Sequence, residues 1–154
     1  MWLAFVTVLL SFGLMEVASW AIHKYVMHGP LWFIHKTHHG AGHHWLELND
    51  VFTIFFGGVA VVLMILGAAT LDVRFWIGIG ISLYGLVYFL VHDLFIHRRM
   101  NVFGRSGNRF LNRLYRAHQI HHRSRDRDRS KAFGLLWVND SVFDEEPPRS
   151  ARRP

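Results

Sequence analysis

Histidines are the residues of this chain whose number and spacing could support chemistry. Ten of the twelve fall into four short clusters, in the order H-x4-H, H-x2-H-H, H-x4-H and H-x2-H-H. The clusters are "HKYVMH" (His23, His28), "HKTHH" (His35, His38, His39), "HDLFIH" (His92, His97) and "HQIHH" (His118, His121, His122). Because the chain has no cysteine, disulfides, thiolate nucleophiles and cysteine-ligated metal sites are excluded. Metal binding by imidazole, with or without carboxylate, is the chemistry that this composition favours.

The spacing of each cluster indicates how its histidines could share a metal. Positions i, i+3 and i+4 of H-x2-H-H lie on one face of an α-helix. A helix is expected around His118, because apolar residues repeat on one side and arginines on the opposite side. His118 and His122 lie on the apolar side and should point into the protein. The two positions of H-x4-H are about 140° apart on an ideal α-helix. Either such a pair serves two metals, or the helix is distorted or ends there, as Pro30 suggests after His28.

A haem site or a metal-transport site would fit the four clusters less well. Haem needs only two axial ligands, and a metal transporter would need ligands near the middle of the bilayer. Eight to ten neutral imidazoles suit two metal ions with room for oxygen or water, without choosing among iron, zinc, copper and nickel. His43 and His44 lie outside the four clusters and are expected at the surface, with an extra ligand role or a hydrogen bond to a ligand as the alternative.

Three apolar segments must position the histidines. Residues 2–22, 51–71 and 75–91, the last continuing to Ile96, each approach the ~20 residues that a helix needs to cross a bilayer. As a single helix, residues 51–96 would be about 70 Å long, so the chain must fold back. The polar break "LDVR", with Asp72 and Arg74, predicts the turn of a helical hairpin. Six glycines are expected to allow close helix contact: Gly57, Gly58, Gly67, Gly78, Gly80 and Gly85.

The basic residues predict the orientation of these segments. Of the seventeen lysines and arginines, sixteen lie at 24–36 or beyond 97, and only Arg74 lies at the hairpin turn. The first segment has no preceding basic region, which argues against a signal peptide. The positive-inside rule therefore places all four histidine clusters on the cytoplasmic face, at the ends of membrane helices. The fold class expected is an all-α membrane bundle of three to four embedded helices with a cytoplasmic, histidine-rich helical cap.

Four residues could accept a hydrogen bond from a metal-bound histidine, because such rings usually donate their second N–H to a carboxylate or carbonyl. Glu16 lies in the first apolar segment, where a carboxylate is costly without a purpose. Asn49 and Asp50 stand at a helix start, where N-capping is the competing interpretation. Asp93 adjoins His92. Glu16 and Asp50 are the preferred candidates.

These motifs resemble those of the membrane-bound di-iron oxygenases of the fatty acid hydroxylase superfamily, and within it the bacterial β-carotene hydroxylases. The resemblance covers the four histidine clusters together with "MEV" (15–17), "LND" (48–50), "YGLVYFLVHDLFIH" (84–97) and "LYRAHQIHH" (114–122), and it extends to "FGLLWV" (133–138). It implies a single domain at 1–138, followed by a tail at 139–154 that we expect to be disordered.

The resemblance also implies an activity and a site. The expected reaction is O2-dependent hydroxylation of β-ionone rings, from β-carotene through β-cryptoxanthin to zeaxanthin, with electrons from a ferredoxin-like donor. The ten clustered histidines are then ligands of two iron ions, which zinc could replace in purified protein. The expected location is the bacterial inner membrane, where the basic stretch at 98–116 could contact anionic lipid or an acidic ferredoxin. The loop at 123–131 is expected to be mobile.

Two alternatives to this function stay open. Within the superfamily, the substrate could be a fatty acid or a sterol, and the reaction hydroxylation or desaturation. Outside it, the chain could be a non-catalytic metal-binding membrane protein. Neither composition nor spacing separates these alternatives.

Overall fold

A computed structural model describes residues 1–40, 46–100, 102, 104, 106–123, 127 and 130–144. The described chain is helical. Its α-helices are α1 (Trp2–Ala21), α2 (Trp32–His35), α3 (Asp50–Gly67), α4 (Val73–Tyr88) and α5 (Arg109–Arg123). Two π-helical segments, Ile22–Met27 and Phe89–Ile96, continue α1 and α4, and a 3₁₀ turn spans Asp140–Phe143.

Three helical stretches are long and apolar enough to cross a membrane, namely Trp2–Met27, Asp50–Gly67 and Val73–Ile96, with mean hydropathies of 1.8, 2.2 and 1.8. Their large apolar side chains point mostly outward: Leu10, Ile54 and Ile65 are among the exposed ones. Such a surface is stable against lipid and not against water, and helices satisfy their own backbone hydrogen bonds there. The all-α membrane bundle that the sequence predicts is confirmed, with three spans.

The hairpin between α3 and α4 lies at the predicted polar break. Asp72 caps α4, because its Oδ1 accepts from the backbone N–H of Arg74 at 2.9 Å, and the Arg74 guanidinium binds Oδ2 at 2.6 Å. The chain turns through Leu71, whose φ of 50° is left-handed. Helix α4 then packs against both α3 and α1 and is the centre of the bundle.

Only some of the six glycines make the predicted close helix contacts. A Cβ atom on Gly78 would lie 2.6 Å from the carbonyl oxygen of Ala60 in α3, and one on Gly80 would lie 2.6 Å from Cβ of Ser11 in α1. Gly67 is also tight, against Phe75 at the turn. Gly57, Gly58 and Gly85 meet nothing within 4 Å, so for these three the expectation of close packing is wrong.

The C-terminal segment returns across the end of the bundle. Val138 and Val142 are buried against Ile96, Leu114 and Ala117, which fastens α5 to the end of the third span. The Asn139 side chain caps the 3₁₀ turn by accepting from the N–H of Ser141 at 3.0 Å. The packed chain thus extends to Phe143, beyond the boundary predicted at 138, because Val142 completes an apolar cluster. Residues 145–154 of the predicted tail lie outside the described residues.

Candidate metal centre

Eight of the ten predicted histidines form two groups, close to the ends of the membrane-spanning helices that the π-helical segments form. Cluster 1 contains His23, His28, His35 and His121, and cluster 2 contains His38, His92, His97 and His118. Within each cluster the ligand nitrogens all lie within 4.8 Å of one another. His39 and His122 stack on each other between the clusters, with ring centroids 4.4 Å apart. His43 and His44 lie outside the described residues.

Local π-helix resolves the geometry of the two H-x4-H pairs. The backbone N–H of His28 bonds to the carbonyl of His23 at 3.0 Å, and that of His97 to His92 at 2.9 Å. An i+5 to i hydrogen bond is the π-helical one, and it brings residues five apart toward one face of the helix. Each pair therefore serves one cluster. The helix is distorted at both pairs, which the sequence signalled only for the first.

The two H-x2-H-H triplets behave differently from each other. His118, His121 and His122 lie on α5, as predicted. Helix α2 instead ends at His35, and His38 and His39 follow in turns, so the first triplet is not one helical face. Both triplets nevertheless divide between the clusters: His35 and His121 belong to cluster 1, and His38 and His118 to cluster 2.

The outward ring nitrogens fix the tautomers in cluster 1. Nδ1 of His23 donates to the carbonyl oxygen of Phe133 at 2.9 Å, and Nδ1 of His35 donates to Oδ1 of Asn49 at 2.9 Å. The remaining two rings of the cluster donate to the carbonyls of Arg127 and Lys131. A neutral imidazole that donates through Nδ1 has an unprotonated Nε2, which therefore points inward as a lone pair.

These inward lone pairs fit a metal ion. Nε2 of His23 lies 3.0 Å from Nε2 of His35, and Nε2 of His28 lies 3.2 Å from Nε2 of His121. Two lone pairs at such a distance repel unless a cation lies between them. Four imidazoles, each with its other nitrogen hydrogen-bonded to an oxygen, form the donor set of a histidine-bound transition metal. The residues present therefore fit a metal.

Burial keeps the rings in the neutral form that a metal requires. It is the main cause that lowers the pKa of His35 to about 2, and the neighbouring His23 ring adds to the effect. Burial likewise holds the pKa of His38, His118 and His121 well below the usual range. Since metal binding competes with protonation, low pKa values favour ligation.

Two of the four predicted hydrogen-bond acceptors contact a histidine. Asn49 accepts from His35, and its side chain makes no capping bond to α3, so the N-cap interpretation is wrong for it. Oδ1 of Asp93 accepts from Nδ1 of His92 at 2.8 Å. Glu47, which sequence spacing did not reveal, accepts from Nδ1 of His38 at 2.7 Å. It lies in an irregular segment before α3, where spacing carries no geometric signal.

Glu16 and Asp50, the preferred candidates, have other partners. Glu16 accepts from the hydroxyl of Tyr84 at 2.9 Å and from the backbone N–H groups of Leu136 and Trp137 at 2.9 and 3.0 Å. Asp50 binds the Arg99 guanidinium at 2.8 Å. Among the described residues, no histidine ring donates a hydrogen bond to Glu16 or Asp50. Glu16 instead holds the C-terminal segment whose Phe133 carbonyl orients His23.

The predicted mobile loop also reaches the site. The carbonyls of Arg127 and Lys131 orient His28 and His121, and Nε of Arg127 donates back to the carbonyl of His28 at 2.8 Å. At these two residues the loop is part of the metal centre. Its other residues at 124–126 and 128–129 lie outside the described residues.

An apolar cavity of about 360 Å³ lies between α1, α3 and α4 and leads to the histidines. Its apolar lining includes Met15, Phe52, Phe56 and Ile81, and it opens toward the lipid side at the exposed Thr53 and Gly57. Ser19, Met27 and Tyr88 line both this cavity and a smaller one bounded by histidines of both clusters, among them His35 and His92. The Tyr88 hydroxyl lies 3.4 Å from Nε2 of His92.

The fold and the site together define a class: a membrane-embedded helical protein with two adjacent histidine clusters that can each hold a metal, reached from an apolar cavity. Residues 8–145 match the profile of the fatty acid hydroxylase family, and the chain belongs to that family.

Individual relatives are similar over most of the chain. It is 37% identical to a β-carotene hydroxylase of Paracoccus sp. (strain PC1), over 87% of this chain and 83% of the relative. It is 41% identical to a β-carotene hydroxylase of Pseudescherichia vulneris, over 85% of this chain and 74% of the relative. It is 36% identical to the chloroplastic β-carotene 3-hydroxylase 1 of Arabidopsis thaliana, over 68% of this chain and 35% of the relative. No solved structure matches the chain.

Proposed function

We propose that this protein is a β-carotene 3-hydroxylase that converts β-carotene through β-cryptoxanthin to zeaxanthin. Relatives named β-carotene hydroxylase support the substrate, and several plant and algal relatives are named as 3-hydroxylases. The observation that carries the proposal is the cavity itself. It lies within the membrane spans, its lining is mainly apolar, and it meets the histidine clusters at Ser19, Met27 and Tyr88.

The cavity suits one end of a long hydrocarbon. A ring that enters between α1 and α3 reaches the histidines, while the rest of the polyene stays in lipid, since β-carotene is about as long as a bilayer core is thick. The ring is a hydrocarbon, so the mainly apolar side chains of the lining position it by shape and keep water away from it.

The proposed reaction requires two iron ions and O2. Zinc can occupy the same sites in purified material. When bound, the iron pair supplies the oxidising chemistry that an unactivated ring C–H bond requires. One oxygen atom of O2 becomes the hydroxyl group, and the other leaves as water after two electrons and two protons arrive. The ten clustered histidines are the proposed ligands, eight of them in the two clusters. Six of them donate a hydrogen bond through Nδ1 to an oxygen atom, which leaves Nε2 unprotonated and available to a metal: His23, His28, His35, His38, His92 and His121.

Two electrons per turnover must reach the metals from outside. We place the metal centre on the cytoplasmic side of the bacterial inner membrane, because sixteen of seventeen basic residues lie on that side of the predicted topology. An acidic ferredoxin-like donor fits the exposed basic residues near the clusters, such as Arg98, Arg109 and Arg123. The same residues suit contact with anionic lipid.

Expression in a bacterium that accumulates β-carotene tests the proposal. We expect zeaxanthin and its monohydroxylated precursor to appear, and the His118→Ala variant to make neither. Fatty acids and sterols are analysed in the same extracts. Unchanged β-carotene together with hydroxylated or desaturated acyl chains would assign the protein to a different lipid substrate. Unchanged lipids throughout, with intact protein that binds metal, would point to a non-catalytic role.

A further inference from the structure

The two histidine clusters differ in the charge of the groups behind them. All four rings of cluster 1 donate Nδ1–H to neutral oxygens, namely three backbone carbonyls and the amide of Asn49. The guanidinium of Arg127 also hydrogen-bonds to the His28 carbonyl. The surroundings described for cluster 1 are therefore neutral to positive.

In cluster 2, two of the four rings donate to carboxylates instead. Nδ1 of His38 donates to Oε2 of Glu47 at 2.7 Å, and Nδ1 of His92 donates to Oδ1 of Asp93 at 2.8 Å. These carboxylates are almost completely buried, with exposed side-chain fractions of 3% and 9%. Burial strengthens their electrostatic effect on a nearby cation.

Arg99 holds these carboxylates in place. Its Nη2 lies 3.2 Å from Oε2 of Glu47, its Nη1 lies 2.8 Å from Asp50, and its Nε lies 3.8 Å from Oδ1 of Asp93. The chain reverses before it, because Arg98 has a φ of 51° and the Arg99 N–H bonds to the Asp93 carbonyl at 3.0 Å. A non-glycine residue in the left-handed region is strained and persists where surrounding contacts hold it. Three carboxylates around one guanidinium leave excess negative charge beside cluster 2.

A carboxylate behind a histidine strengthens the ring as a metal ligand. It stabilises positive charge on the imidazole and makes Nε2 more basic, whereas a backbone carbonyl does so less. We propose that the two metal sites are inequivalent, and that cluster 2 binds its metal ion first and releases it last. Glu47 and Asp93 set the difference, and Arg99 is the positioning residue. This inference rests on the proposed function, in which both clusters hold iron.

Iron release from the purified protein tests the inference without substrate. The detergent-solubilised full chain is loaded anaerobically with two equivalents of ⁵⁷Fe(II) and mixed with excess chelator. We expect two phases of one iron each. With a single equivalent, Mössbauer spectra should show one quadrupole doublet, and the second equivalent should add another.

Two opposite substitutions assign the phases. Asp93→Asn removes the charge at nearly constant shape and should accelerate the slow phase by about 10–100-fold, because loss of such a partner weakens metal binding by that factor. Asn49→Asp places a carboxylate behind His35 and should slow the fast phase. Asp72→Asn makes the same carboxylate-to-amide change at the exposed hairpin turn and should alter neither phase.

Several results would overturn the inference. Release of both irons in one phase by the unmodified protein contradicts it, as does acceleration of only the fast phase in Asp93→Asn. If Asp93→Asn does not fold, Asn49→Asp decides, and an unchanged fast phase there counts against the inference. If the protein binds two irons with the same release rate and the same Mössbauer doublet, only the inequivalence of the two sites is refuted. A chain that holds no iron refutes the proposed function as well.

Discussion

Gly57 lines the apolar cavity and Gly58, the next residue of α3, does not, although a Cβ atom at either position would meet no atom within 4 Å. The pair therefore offers a matched test of the cavity. Gly57→Leu should fill the cavity and lower hydroxylation of β-carotene at least tenfold, because the ring loses the space beside Thr53 and Val61. Metal content should not change. Gly58→Leu adds the same side chain outside the cavity and should keep most of the activity in the same cells. Equal activity of the two variants would mean that the substrate enters elsewhere.

Glu16 is expected to contribute to the stability of the fold rather than directly to the reaction. Glu16→Gln weakens charged hydrogen bonds to Tyr84, Leu136 and Trp137, each of a kind worth about 1.5–3 kcal/mol. We expect a lower unfolding temperature and a partial loss of metal, because the segment that orients His23 is loosened. Thermal unfolding in detergent and metal analysis measure both. Tyr84→Phe removes one of these donors and should have a smaller effect. A Glu16→Gln variant with full stability and full metal content would show that Glu16 is not needed to hold the segment that orients His23.

The end of the packed chain can be located by truncation. A chain that ends at 144 should retain full stability, and one that ends at 138 should be less stable. The shorter chain loses Val142 from its cluster with Ile96 and Leu114. It also loses the ion pair between Arg113 and Asp140. Burial of a valine side chain is worth about 1.5–3 kcal/mol. Equal unfolding temperatures for the two chains would place the boundary at 138, as the sequence predicted.

Metal removal should destabilise the fold. In cluster 1 the inward Nε2 atoms repel one another without a cation, and a ligand at 100 times its Kd adds about 2.7 kcal/mol to stability. Chelation should therefore lower the unfolding temperature, and added Fe(II) should restore it. In His118→Ala, which breaks cluster 2 alone, chelation should cause a smaller shift. An unfolding temperature that does not respond to chelation in the unmodified protein would show that the clusters hold no metal.

Long-range features were predictable where periodicity or composition encodes them. The three spans follow from apolar length, the hairpin from Asp72 and Arg74, and α5 from the stripe that includes Leu114. The convergence of the histidines follows from an even number of crossings between their two groups. These inferences need no side-chain geometry.

Features that depend on local backbone irregularity were not predictable. The i+5 hydrogen bond of His97 has no sequence signature like Pro30, and the turn after His35 interrupts a spacing that suits a helix. The roles of Glu16 and Glu47 were missed for a related reason. Leu136 and Trp137, which donate to Glu16, and His38, which donates to Glu47, lie in segments without regular helix, where sequence spacing does not determine which groups meet.

Each histidine cluster combines residues from both halves of the chain, and this has a consequence for the order of events during synthesis. Cluster 1 takes three histidines from residues 23–35 but needs His121, and cluster 2 needs His118. Both come from α5, the last α-helix that the described chain contains. A growing chain that has already inserted its three membrane spans still has neither cluster complete. If the clusters hold metal as proposed, metal loading is deferred until translation has passed residue 121 and α5 has docked, so the metal centre forms only after the membrane spans are in place.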